Sequence, residues 1–252
     1  GVRGMTKVYG AGTVRELTLF DGFNLTVEDG QFVSIVGSNG SGKTSLLNIL
    51  CGSIPLDGGD VLVNGKSIRK QKDFQRYATI GRVYQNPSLG TCPNLTMLEN
   101  LPLADNKGKR LGLGFGVNKK RIDAYRAELA ALGLGLEDKL DVKMGALSGG
   151  QRQAVALLMA TMTPLNFLIL DEHTAALDPK TAETIMELTG KVVREKGLTA
   201  MMVTHKLRYA VEYGDRLLIL DHGTIVLDRA GKEKEATSTE ELLQVFNRYS
   251  IL

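Results

Sequence analysis

The chain has no long apolar run, two cysteines and almost no net charge, and each shortage removes a class of protein. The longest apolar stretch, residues 154–160, falls far short of the roughly 18–20 residues that a membrane-spanning helix needs. Any membrane role must therefore pass through a partner. Cys51 and Cys92 have no metal-ligand spacing, nothing else supports a disulfide, and both read as buried apolar thiols. A formal net charge of +3 gives no case for a nucleic-acid partner. The first residues carry no charged-then-apolar leader, which with the two thiols points to a reducing cytosol. Internal repeats and low-complexity tracts are missing too. What remains is ordinary for a globular protein: 43% hydrophobic and 23% charged residues, in a chain of 252 that can bury a core without disulfides or metal.

The order of patterns along the chain indicates its organisation. The first stretch is β-rich: residues 23–28 roughly alternate, Gly30 makes a turn, and residues 31–36 are apolar enough for a buried strand. A helix is expected over 43–50, then a strand over 60–63 turned by Asn64-Gly65, then a strand over 79–84. Residues 86–162 change to helices and loops. Thr96-Met97-Leu98-Glu99 is a capping-box sequence, residues 121–132 place Ile122, Tyr125, Leu129 and Leu132 at helical spacing, and a third helix begins at Ser148. Strands and helices then alternate: strands over 167–170, 198–203 and 217–220, helices over 179–195 and 206–213. Asp178-Pro179 suits an N-cap followed by proline at the first helical position. A strand over 224–227 and a helix over 240–247 close the chain. Residues 107–121 hold six cations (Lys107, Lys109, Arg110, Lys119, Lys120, Arg121), four glycines and no acid. They fit either a solvated flexible loop or a contact with a partner's cytoplasmic surface or acidic headgroups.

Three motifs carry chemistry. Gly37, Ser38, Asn39, Gly40, Ser41, Gly42, Lys43 and Thr44 match G-x-x-x-x-G-K-T, with Ser45 following. Glycines let the backbone wrap phosphates with its N–H groups inward, and the next helix aims its positive end at the same anion. Lys43 is expected to reach the β- and γ-phosphates, and Thr44 to give its hydroxyl to Mg²⁺. The second motif is an apolar strand that delivers Asp171 and Glu172 at its C-terminal edge. Asp171 suits Mg²⁺ through its water shell, and Glu172 suits orienting and polarising an attacking water. The third, Ser148-Gly149-Gly150-Gln151, is a capping box whose bare glycines make a second anion site. A second cradle on one chain makes sense if it serves the nucleotide held by another subunit. Gln85 has an amide oxygen suited to Mg²⁺ and the attacking water. His205, at the end of an apolar strand, is placed to sense the γ-phosphate. Tyr9, before the Gly10-Ala11-Gly12 turn, is placed to stack on adenine. His173 and His222 read as ordinary loop residues.

Taken together these residues resemble the ATP-binding cassette (ABC) family of transport ATPases over essentially the whole chain. In that likeness 37–44 corresponds to Walker A, 167–171 to Walker B, Glu172 to the catalytic glutamate and Gln85 to the Q-loop. Residues 147–151 correspond to the signature, 175–178 with Asp178 to the D-loop, His205 to the switch histidine and Tyr9 to the adenine-stacking aromatic. Ala175 stands where the family often has Ser, and His173 where Pro is usual. The resemblance implies an α/β P-loop NTPase with a mixed sheet core. An N-terminal antiparallel β subdomain and an inserted α-helical subdomain belong to it. It divides a single domain into 1–85 with 163–252 as core and 86–162 as the helical signature part. It implies ATP and Mg²⁺, a second ABC ATPase subunit as a homodimer partner, an integral membrane permease and an extracytoplasmic substrate-binding protein. It also implies a place at the cytoplasmic face of the inner membrane. The residues after Asp171 and the 107–110 segment look like importer ATPases similar to branched-chain amino-acid importers. A non-transport ABC ATPase acting on nucleic acid or ribosomes is the alternative; such proteins usually carry two cassettes or a long coiled-coil insertion, and this chain has neither. A P-loop kinase would leave 147–151 unexplained.

Overall fold

The structure is a computed structural model that describes residues 1–109, 116–117 and 119–250. In chain order its strands are β1 (Val2–Tyr9), β2 (Leu17–Leu25), β3 (Phe32–Val36), β4 (Gly58–Val63), β5 (Lys66–Ser67), β6 (Ile80–Val83), β7 (Phe167–Asp171), β8 (Ala200–Val203), β9 (Arg216–Asp221) and β10 (Thr224–Ala230). Its helices are α1 (Lys43–Cys51), α2 (Asp73–Tyr77), α3 (Met97–Asp105), α4 (Ile122–Ala130), α5 (Gly149–Ala160), α6 (Pro179–Glu195), α7 (Leu207–Glu212), α8 (Gly231–Glu235) and α9 (Thr239–Ser250).

Two sheets organise the molecule. β2, β1, β4 and β5 form an antiparallel sheet near the N-terminus. The larger sheet has the order β10-β9-β3-β8-β7-β6, in which β9, β3, β8, β7 and β6 run parallel and β10 is antiparallel. The sheet core is therefore mixed, as expected. Every residue of β3 and β8 is buried, because helices or the other sheet cover both faces. Phe20, Leu46, Leu47, Ile169, Met201 and Leu218 share one core cluster, so the two sheets pack around α1. Each such side chain contributes about 1.5–3 kcal/mol by leaving water.

α5 explains the longest apolar run. Ala154, Ala156 and Leu157 pack with β7, β8 and α6, whereas Val155, Leu158 and Met159 pack with α3 and α4. A helix buried on two sides needs an apolar surface nearly all round. α3 begins as its sequence predicts: Thr96 and Glu99 form the reciprocal capping box. Behind it the fully buried Asn100 bonds both the N–H and C=O of Cys92 and the carbonyls of Leu95 and Thr96, which fixes the loop into the helix.

The far end of α1 is capped by a distant arginine. Gly52 ends the helix at φ 82°, and Nη1 of buried Arg76 donates to the carbonyls of Ile49 and Leu50 at 2.8 and 3.2 Å. Those are orphan acceptors at the negative end of the helix dipole, so a guanidinium there anchors the element that starts at Lys43.

Several expectations change. α2 and α8 have five residues each, too short for periodicity to reveal. Cys51 is buried but Cys92 is exposed, because Cys92 lies in the turn before α3; both are free thiols. The basic segment 107–121 lies partly outside the described residues, at 110–115 and 118. Its described ends are tied down. Lys107 donates to the Ile80 carbonyl at 2.9 Å, and Lys109 and Arg121 pair with Asp105. Burial lowers the Lys107 pKa to about 8.

Candidate functional site

Four adjacent parallel strands finish at one edge of the large sheet: β3, β8, β7 and β6. β3 runs into the glycine loop at Gly37, and β8 leads through Thr204 to His205. β7 delivers Asp171 and Glu172, and β6 leads through Tyr84 to Gln85. Strand order alone thus places glycine loop, histidine, carboxylates and glutamine side by side. The carboxyl edge of a parallel sheet is where such folds hold ligands.

The glycine loop is set by close approach. A Cβ on Gly37 would lie 2.2 Å from the Leu220 carbonyl oxygen, so no other residue fits there. Gly42 caps α1 at φ 106° and offers no side chain to the first helical amides, which leaves them for an anion. Lys43 is buried, and its Nζ donates to the carbonyls of Gly37 and Ser38 at 2.8 and 2.7 Å and to Ser41 Oγ at 3.3 Å. Burial lowers its pKa, and the Glu172 carboxylate opposes the shift. Ser38 Oγ bonds Asp221 Oδ1 at 3.3 Å, while Asn39 and Gly40 form the exposed tip. Thr44 is exposed, and Ser45 accepts the Tyr9 hydroxyl at 3.0 Å. The Tyr9 ring is half-buried at the end of β1, with the Lys7 ammonium 5.4 Å from its centroid.

Glu172 and His205 meet: Oε1 and Nε2 are 2.7 Å apart. Glu172 has φ 49°, a left-handed conformation that costs a non-glycine residue about 1–3 kcal/mol. Its N–H donates to the Val203 carbonyl and its own carbonyl accepts from Ala175, so the strained turn is held from both sides. Asp171 Oδ2 accepts Nη2 of Arg82 at 2.6 Å. Desolvation acts to lower the Arg82 pKa, but the bond to Asp171 and the fields of Cys51, Asp171 and Tyr84 raise it overall. Thr44, Arg82, Gln85, Asp171 and Glu172 line one cleft of about 480 Å³.

Among the described residues, no group of three or more His, Cys, Asp or Glu side chains is placed to hold a metal. Of the oxygen groups that line the cleft, the Thr44 hydroxyl, the Gln85 amide and the Asp171 carboxylate are the three that the sequence assigns to Mg²⁺. That sparse oxygen set fits Mg²⁺, which keeps several waters and takes other ligands from phosphate.

The second glycine motif lies elsewhere. Of the described residues lining the cleft, none belongs to 148–151. Ser148 caps α5 by accepting from the Gln151 N–H, and Gln151 Oε1 accepts from the Ser148 N–H, both at 3.2 Å. The two glycines differ. Gly149 is exposed, whereas a Cβ on buried Gly150 would lie 2.3 Å from Thr181 Cγ2 of α6. Gly150 is therefore bare because α5 and α6 pack there, a reason that spacing alone does not reveal. Asp178 caps α6 through the Thr181 N–H, and hydrogen bonds from Thr181 hold its carboxyl below the usual range.

Two side chains of the site, Arg82 and Gln153, were not singled out from sequence, and the surroundings of a third, His173, were not foreseen. Arg82 is a cation inside the otherwise apolar strand 80–83, which is itself a signal. Gln153, buried on α5, donates to the Tyr84 carbonyl at 3.0 Å, one residue before Gln85. His173 lies in the loop between β7 and α6, as expected, but is buried, at 2% exposed. Thr189 Oγ1 donates to the Ile185 carbonyl at 2.7 Å, so it must accept from His173 Nε2 at 3.0 Å. Burial lowers the His173 pKa to about 4. His222 is an exposed turn residue at φ 42° beside Asp221.

Comparison with known proteins gives consistent likenesses. The family model described as "ABC transporter" matches residues 20–175. A tyrosine transport ATP-binding protein of Clostridioides difficile is 47% identical over 229 residues, 91% of each chain. A xylose/arabinose import ATP-binding protein of Sulfolobus acidocaldarius is 31% identical over 99% of this chain and 94% of its own. Among solved structures, a dimeric post-hydrolysis ATP-binding cassette bound to ADP and Pi superposes with TM-score 0.76 at 31% identity, covering 91% of this chain and 97% of its own.

Proposed function

This chain belongs to the ABC transporter family as an ATP-binding subunit that hydrolyses ATP, and from that premise we propose how it works and what it serves. Two copies meet head to tail around two ATP molecules and drive a separate permease that imports a small solute such as an amino acid. The observation that carries the mechanism is the Glu172–His205 contact at the mouth of the glycine loop.

Each residue then has a task. The loop amides and Lys43 cradle the phosphates, with the ammonium leaving the Gly37 and Ser38 carbonyls for phosphate oxygens. Tyr9 meets the adenine. Thr44, Gln85 and Asp171 hold Mg²⁺, which when bound neutralises charge on the transferring phosphoryl group. Glu172 orients the attacking water, and His205 holds the Glu172 carboxylate and faces the γ-phosphate. The start of α5 of the other copy, Ser148 with the amides of Gly149 and Gly150, closes the pocket, with Gln151 completing the cap and Asp178 at the seam. Gln153 bonds the carbonyl just before Gln85, so motion of α5 and motion of the Gln85 segment are tied. Residues 86–162 form the helical unit that passes this motion to the permease.

The likeness to a tyrosine transport protein supports an amino-acid cargo, delivered by an extracytoplasmic binding protein. Among the described residues no helix is long and apolar enough to cross a membrane, in keeping with a peripheral place on the cytoplasmic face through the permease. The test has two arms. Glu172→Gln should cut Mg²⁺-dependent hydrolysis by about 10²-fold or more while ATP binding persists. The tagged chain should copurify an integral membrane permease. Unchanged turnover sinks the role of Glu172, and a permease-free preparation from intact membranes sinks the transport assignment.

A further inference from the structure

Arg82 is a charged side chain in direct contact with Asp171 that the mechanism above leaves without a task. Only 6% of its side chain is exposed, and its guanidinium joins three elements. Nη2 reaches Asp171 Oδ2 at the end of β7 at 2.6 Å, and Nη1 reaches Asn48 Oδ1 on α1 at 2.8 Å. The group lies 4.7 Å from the Tyr84 ring centroid. Its buried Nε has no partner among the described residues.

A cation on this carboxylate competes with any metal ion that uses the same carboxylate. The ion must come within a few ångström of a fixed positive charge, where water screens poorly. One carboxylate cannot give its full charge to both. Removing the ion's rival should favour the ion, while leaving Asp171 buried without a partner in the metal-free protein.

We propose that Arg82 is a positioning residue that holds Asp171 as an ion pair between turnovers and releases it in part to the divalent ion. Occupancy of the metal site is thereby registered by β6 and, three residues on, by Gln85. The inference rests on Asp171 as a metal-holding residue, and the experiment separates the two claims.

Mn²⁺ serves as the probe, with free ion read by electron paramagnetic resonance in the presence of ATP, in the Glu172→Gln background to stop hydrolysis. Arg82→Gln keeps a hydrogen-bond donor for Asp171 but drops the charge, and it should bind Mn²⁺ about tenfold tighter. Arg82→Lys, which restores charge, should return toward the parent. Asp171→Asn should weaken Mn²⁺ binding with or without Arg82. If Asp171→Asn leaves Mn²⁺ binding unchanged, the metal role of Asp171 falls and the inference with it. If Asp171→Asn weakens binding but Arg82→Gln does not tighten it, the inference alone falls. A readout on the unaltered side chain covers the case of variants that do not fold. The Arg82 guanidinium protons, followed by ¹⁵N NMR, should exchange with solvent severalfold faster once Mg²⁺ and ATP are added. Unchanged exchange overturns the proposal.

Discussion

Lys43 and His173 illustrate how single side chains divide the work. Lys43 already sits inside the glycine loop on backbone carbonyls, so phosphate oxygens replace partners that a neutral substitute cannot use. Lys43→Ala should weaken ATP binding by about one to two orders of magnitude, measured by calorimetry; wild-type affinity would contradict the cradle. His173 is buried neutral, and burial takes its pKa from 6.5 to about 4. Between those values the unfolded chain binds the proton and the folded one does not, so stability falls as the pH drops from 6.5 toward 4. The loss approaches about 3 kcal/mol at most. His173→Gln should flatten that part of the stability–pH curve in denaturant titrations, and an unchanged curve would mean another group is responsible. At this scale the sequence was legible wherever chemistry demands a fixed spacing, as from Gly37 to Thr44. Arg82 and His173 were obscure because their partners, Asp171 and Thr189, are met only through the fold.

Helices and strands show a different balance. α6 was readable to its ends because Asp178 caps it, proline opens it and its apolar face repeats. α5 was readable at its start, where Ser148 and Gln151 cap each other, but the reason for Gly150 was not. Gly150→Ala should lower the melting temperature, because its Cβ meets Thr181 Cγ2 and overpacking costs about 1–3 kcal/mol. Adding Thr181→Ser removes that methyl and should restore part of the loss. Without rescue, the contact between α5 and α6 is not what requires glycine. α2 and α8 escaped because five residues hold barely more than one turn, so no period is established.

For the whole molecule, the order of strands does what no single motif does. β3, β8, β7 and β6 lie next to one another although they are far apart in sequence, and that adjacency brings the glycine loop, His205, Glu172 and Gln85 to one edge of the sheet. Strand–helix alternation made a parallel sheet legible, but the strand order came only with the structure. A second cavity of about 450 Å³ lies at the opposite edge, among Phe167, Thr199 and Met201, away from the carboxylates. The motif at 148–151 does not line the nucleotide cleft of its own chain, which is why the account requires a second copy. The mass of the Glu172→Gln protein in solution tests this most directly, measured by light scattering with and without Mg²⁺ and ATP. The account predicts a 27.3 kDa protomer that doubles in mass when ATP is added, and no doubling once Ser148 is replaced by arginine. A protein that stays at one protomer with saturating ATP, yet hydrolyses at full rate when Glu172 is restored, would contradict it.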